Sequence, residues 1–155
     1  MDWLLELLTN RFLITGVSSW AVAQVLKTVI HFIIYKKFDI SRLVGDGGMP
    51  SGHSATVTSI AVAAALFYGT GSFEFAIAAI LAIIVCHDAM GVRLETGKQA
   101  VVLNELIKAF NDLAAEDISE DVKLKEFVGH TPIQVLAGIL IGTLNAVVMH
   151  YWIFA

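Results

Sequence analysis

The long apolar stretches constrain this chain more than any other feature. Phe12 to Tyr35 runs for about 24 residues with one central charge, Lys27, and Pro132 to Phe154 for about 23 with none; a helix needs about 20 to cross the hydrocarbon core of a bilayer. Two shorter stretches lie between them. Ser54 to Tyr68 is alanine-rich, and Phe73 to Cys86 approaches the required length once His87 to Met90 are counted. The loop joining these two, Gly69 to Phe73, is short and uncharged, which predicts a helical hairpin. The competing reading is a buried hairpin of a soluble protein. Composition opposes it: the chain is 57% hydrophobic and 15% charged, with a mean hydropathy of +0.75, far above an ordinary soluble domain. The expectation is an all-α integral membrane bundle of about four transmembrane helices, forming a single domain over residues 1–155.

Two further segments are amphipathic or interfacial. Met1 to Thr9, with Trp3, Leu4, Leu7 and Leu8, suits a short lead-in at the membrane interface. Ala100 to Ala114 places Val102, Leu103, Leu106, Ile107 and Phe110 at helical spacing, which predicts a helix lying on the membrane surface or capping the bundle. The acidic run Glu116 to Asp121 reads as a solvated loop. The net charge of −4 argues against nucleic acid as a partner. The single cysteine, Cys86, excludes an internal disulfide and a cysteine-cluster metal site. Acids at Asp2 and Glu6 stand where a signal peptide would carry positive charge. Lys36, Lys37 and Arg42 follow the first span; Arg93, Lys98, Lys108, Lys123 and Lys125 separate the third from the fourth. The positive-inside rule then puts both loops in the cytoplasm and both termini outside.

The polar residues that carry chemistry cluster at two helix starts. Gly47 to Ser54 (GGMPSGHS) immediately precedes the second span. Pro50 and Ser51 suit a helix start, and Gly52 lets a ligand approach the backbone. Free N–H groups and the positive end of the helix dipole suit an anion there, and His53 in the first turn can donate to it or exchange a proton near neutral pH. The second start is Gly129 to Gln134 (GHTPIQ), where Thr131 reads as N-cap, Pro132 as N1 and Gln134 as N3 of a capping box, with His130 just before the helix. The topology brings both starts to one membrane side. Gln24, Lys27 and His31 share a face of the first span, and a membrane-embedded lysine is a functional candidate by default. Asp88 can pair with Arg93 or Lys27. Gln99 and Asn104 suit fastening of the surface helix. Gly138 and Gly142 form a Gly-x-x-x-Gly pair expected to pack closely on another helix. Asn145 and His150 suit polar packing, and Trp3, Trp20 and Trp152 fit interface belts in part, with no chemistry assigned.

These strings carry a family resemblance. Pro50-Ser-Gly-His53, followed by His130-x-x-x-Gln134-Val135-x-x-Gly138, resembles the type 2 phosphatidic acid phosphatase superfamily, related to the vanadium haloperoxidases. Gly47 to Ala55, Asp88 to Arg93, Gly97 to Asn104 and Gly129 to Val135 are similar to its divergent branch, the divergent PAP2 family of small bacterial and plant membrane proteins. The likeness runs from Trp20 to Gly142. It implies a bacterial plasma-membrane protein needing no metal or cofactor, and the positive-inside rule puts its site on the cytoplasmic side. It also implies a two-step phosphoryl transfer: His130 attacks phosphorus to form a phosphohistidine, His53 protonates the leaving alkoxide, and water then hydrolyses the intermediate. Lys27, Ser51 and Gly52 match phosphate-binding positions of the superfamily, and Gln24 and Lys98 are further site candidates.

The sequence departs from that pattern in three places. The arginine that usually follows the first-motif lysine by seven residues is Ile34 here, with Arg42 as a substitute at a different spacing. The Ser-Arg pair ahead of the nucleophile is replaced by Leu124 and Lys125, leaving Arg93, in the loop after the third span, to supply a guanidinium. Gln134 stands where an acid orients the nucleophilic histidine; its amide can fix the tautomer but cannot neutralise an imidazolium, and a large loss of rate is expected. The readings that remain are a phosphatase acting on a lipid or polyprenyl phosphate, a non-catalytic binder or transporter of a phosphorylated lipid, and a structural membrane protein. Four spans, against six usual in membrane members of the superfamily, suggest a homodimer.

Overall fold

The structure is a computed structural model that describes residues 2–36, 48–114, 124 and 129–154. It is helical, with α1 at Asp2–Leu8, α2 at Arg11–Tyr35, α3 at Gly52–Tyr68, α4 at Phe73–Met90, α5 at Val92–Ala114 and α6 at Pro132–Val148; a π-helical turn, Met149–Ile153, ends the last helix. No strand occurs among the described residues. Arg42, Lys37, Lys123, Lys125 and the acidic run Glu116 to Asp121 lie outside the described residues.

Among the described residues, three helical stretches are long and apolar enough to cross a membrane: Arg11–Tyr35, Phe73–Leu113 and Pro132–Ile153. The 17 residues of α3 span about 25 Å, short of a hydrocarbon core of about 30 Å. Position explains the shortfall. The α3 helix is the central element, packed on α2, α4 and α6, so neighbouring helices rather than lipid surround it. Its alanines suit that place: Ala55, Ala61, Ala63 and Ala64 are all buried, and small residues let the neighbouring backbones approach. The long apolar side chains Val25, Val29, Ile77, Ile80, Ile83 and Leu140 point outward, as they must if lipid is the solvent.

The closest helix pair is α3 with α6. A methyl group at Gly138 would meet the Ser51 carbonyl oxygen, and one at Gly142 the Ala55 carbonyl oxygen. The Gly-x-x-x-Gly pair therefore does pack closely, with one turn of α3 against one turn of α6. The seam between α2 and α6 is polar. Asn145 Nδ2 lies 2.7 Å from Ser19 Oγ and 2.9 Å from Ser18 Oγ. Such bonds hold helices together where there is no water to compete.

Local chemistry sets the helix ends. Asn10 Oδ1 accepts from the N–H groups of Phe12 and Leu13 at the start of α2, and Ser72 Oγ accepts from Phe75 N at the start of α4. The α3–α4 connection is the expected hairpin, with Gly69 at φ 83°. One boundary differs from expectation. The amphipathic helix begins at Val92, not Ala100, so Arg93 and Lys98 lie on a helix rather than in a loop. It starts directly after α4, past a backbone turn at Gly91 (φ −100°, ψ −99°), and inherits a nucleus that an isolated helix would have to form. A Glu95–Lys98 ion pair adds a little in its first turns.

Candidate functional site

Two helices begin side by side at one end of the bundle. Ser51 caps α3: its Oγ accepts from Ser54 N at 3.3 Å. Its own N–H donates to Gln134 O at 3.0 Å, tying the start of α3 to the first turn of α6. The start of α6 is tied in turn to the end of α4, because His130 N donates to Ala89 O at 3.0 Å. Gly129 fits against Leu94 at the start of α5 with no room for a Cβ. These contacts bring the rings of His53 and His130 to a centroid separation of 6.5 Å.

The two histidines have different surroundings. His130 is buried, and its Nδ1 lies 3.2 Å from Gln134 Oε1. The same oxygen lies 3.0 Å from the Thr131 N–H, closing the return half of the capping box. A backbone N–H can only donate, so the Gln134 atom between them is the carbonyl oxygen, and the ring nitrogen facing it is protonated. Neutral His130 thus carries its proton on Nδ1 and its lone pair on Nε2, the state a nitrogen nucleophile needs. His53 is exposed and stands at a groove of about 360 Å³ lined by Val17, Trp20, Thr56, Val57 and Val85. The groove is almost wholly apolar and runs between α2, α3 and α4.

The face of α2 that meets this end carries Trp20, Gln24 and Lys27. Lys27 is buried, and its stem lies against Gly48, at 3.5 Å from the position a Cβ would take. Gly48 has φ 82°, where a side chain would be strained. Gln24 is buried beside Gly52. Trp20 also covers Gly52, its Cδ1 3.4 Å from the corresponding Cβ position. Trp20 carried no chemistry in the sequence reading, yet it lines the groove beside His53. Its position four residues before Gln24, on the face shared by Gln24 and Lys27, was the available signal.

The remaining candidates lie elsewhere. Arg93 Nε pairs with Asp88 Oδ2 at 2.7 Å, with both side chains more than two-fifths exposed. Lys98 pairs with Glu95 at 2.6 Å on the exposed face of α5. Both ion pairs are exposed, while the backbone of Arg93 and Leu94 meets Gly129, next to His130. Arg42 lies outside the described residues. His31 stacks on Tyr35 with centroids 4.7 Å apart. Asn104 does fasten the chain: it donates to Leu124 O and accepts from Leu124 N, each at 3.0 Å. Cys86 is buried between α4 and its neighbours.

The assembled end therefore holds two imidazoles, a buried lysine and two helix N-termini, a set that attracts an anion. Comparison with known proteins agrees with the sequence motifs. The chain is 42% identical to the uncharacterized membrane protein YuiD of Bacillus subtilis (strain 168), over 96% of this chain and 99% of that protein. No solved structure matches it. The sequence model of the Divergent PAP2 family matches residues 8–145, and the chain, an integral membrane protein built as a helical bundle, belongs to that family.

Proposed function

We propose that this protein is a membrane phosphatase that hydrolyses a phosphomonoester or pyrophosphate of a lipid through a phosphohistidine. The observation that carries the proposal is the His130–Gln134–Thr131 arrangement, which fixes the Nε2 lone pair of a histidine placed beside His53 at two adjoining helix starts. In the first step His130 Nε2 attacks phosphorus, the bond from phosphorus to the lipid oxygen breaks, and His53 gives its proton to that oxygen. In the second, water attacks the phosphoryl group, His53 takes a proton from the water, and the P–N bond breaks to return His130. The N–H groups that open α3, together with Lys27, stabilise charge on the phosphoryl oxygens. The apolar groove at His53 suits a lipid tail entering sideways from the bilayer. By the distribution of basic residues in the sequence, this end faces the cytoplasm.

A second reading follows from Gln134. An amide holds the tautomer but places no negative charge beside the imidazolium formed on attack, which favours binding over turnover. On this reading the protein binds or moves a phosphorylated lipid. Purified protein given a panel of lipid phosphates separates the two. Phosphate release that His130→Ala and His53→Ala each abolish is the expected result. Release that persists in His130→Ala would sink the phosphohistidine. Tight vanadate binding with no release from any lipid phosphate would favour the binder.

A further inference from the structure

Gln24 presents a buried acceptor that lacks a donor. The side chain is 6% exposed, and among the described residues its Oε1 has no hydrogen-bond partner. Its amide carbon lies 3.9 Å from the position a Cβ would take on Gly52, the first residue of α3. The groups around that point are donors. The helix start leaves the Gly52 and His53 N–H groups without intrahelical acceptors. A fully deprotonated oxyanion would satisfy those donors and leave Gln24 Oε1 facing a lone pair. An anion carrying one hydroxyl would satisfy both.

Resting on the phosphate-site reading above, we infer that Gln24 Oε1 accepts a hydrogen bond from the P–OH of a singly protonated phosphoryl group. Gln24 is thus a specificity residue that selects the monoanion of a phosphomonoester, which keeps one P–OH, over a phosphodiester or a sulfate, neither of which has that hydroxyl. An unsatisfied buried acceptor is a standing penalty, and the correct ligand removes it while the wrong one makes it worse.

The test uses the purified full-length chain in detergent and titrates inorganic phosphate and sulfate at pH 7.5 by calorimetry. Hydrogen phosphate keeps one P–OH at that pH and sulfate keeps none. The wild type should prefer phosphate by roughly tenfold to a hundredfold, the usual weight of a hydrogen bond involving a charged group. Gln24→Met should bring the two affinities together, mainly by weakening phosphate. Gln24→Glu, which keeps an acceptor, should weaken both anions and retain the preference. A wild type that binds sulfate as tightly as phosphate overturns the role of Gln24 whether or not the variants fold. So does equal weakening of both anions in Gln24→Met, which would mean that the amide donates or only packs. Binding of neither anion to the wild type would instead overturn the phosphate site itself, and this inference with it.

Discussion

The two ends of the bundle hold similar ingredients and use them differently. One end has Lys27, His53 and His130; the other has Arg11 and His150. At the far end Arg11 lies over the rings of Phe67 and Phe154, 5.4 and 5.8 Å from their centroids. His150 packs edge-on against Phe67 at 4.5 Å. Among the described residues, two of the four packed helices α2, α3, α4 and α6 also start at each end. At the far end these belong to α2 and α4, which both pack on α3 and are each capped by their own Asn10 or Ser72. At the histidine end they belong to α3 and α6, the pair that glycines bring into backbone contact. Only at the histidine end, among the described residues, does backbone contact bring two N-termini close enough to act on one ligand.

The sharpest way to break this contrast is to remove the nucleophile. His130→Ala should lower phosphate release at least about a thousandfold, whereas Arg11→Ala at the other end should leave it within about twofold. The next largest effect tests the glycine contact. Gly142→Val forces side-chain atoms onto the Ala55 backbone and should destabilise the protein by about 1–3 kcal/mol in a detergent melt. Gly71→Ala, where a Cβ meets open space, should leave the melt unchanged.

Gln134→Glu sharpens the contrast from the other direction. A carboxylate at N3 keeps the capping box and adds charge beside the imidazolium, so turnover should rise roughly tenfold. Gln134→Leu, which removes the acceptor from both His130 and Thr131, should lower it; unchanged turnover in both variants would remove Gln134 from the mechanism. Between the two ends, Asn145→Leu should destabilise by about 0.6–1.7 kcal/mol, the range for interhelical hydrogen bonds in membranes. The smallest effect is at the far end, where Arg11→Ala should cost about 0.5–1 kcal/mol of stability through its lost contact with Phe67 and Phe154.

Much of the histidine end was legible because caps are local. Ser51, Thr131, Pro132 and Gln134 announce their helix starts within a few residues, and the Gly138–Gly142 spacing announces a tight helix pair. Three features were not legible, each because it depends on distant neighbours. The early start of α5 comes from its junction with α4. The choice between the two partners offered to Asp88 was also open until the junction set it beside Arg93 rather than Lys27. Trp20 looked like an interface residue until α3 placed Gly52 beneath its ring.

The two backbone bonds at the site, Ser51 N to Gln134 O and His130 N to Ala89 O, also decide how a substrate can arrive. They knot three chain segments together, so parting the helices there breaks backbone hydrogen bonds. Prying α3 from α6 is therefore the expensive way to widen the site. Turning a single indole is the cheap one. Trp20 lines the groove beside His53 and covers Gly52, so its indole can turn without moving either backbone.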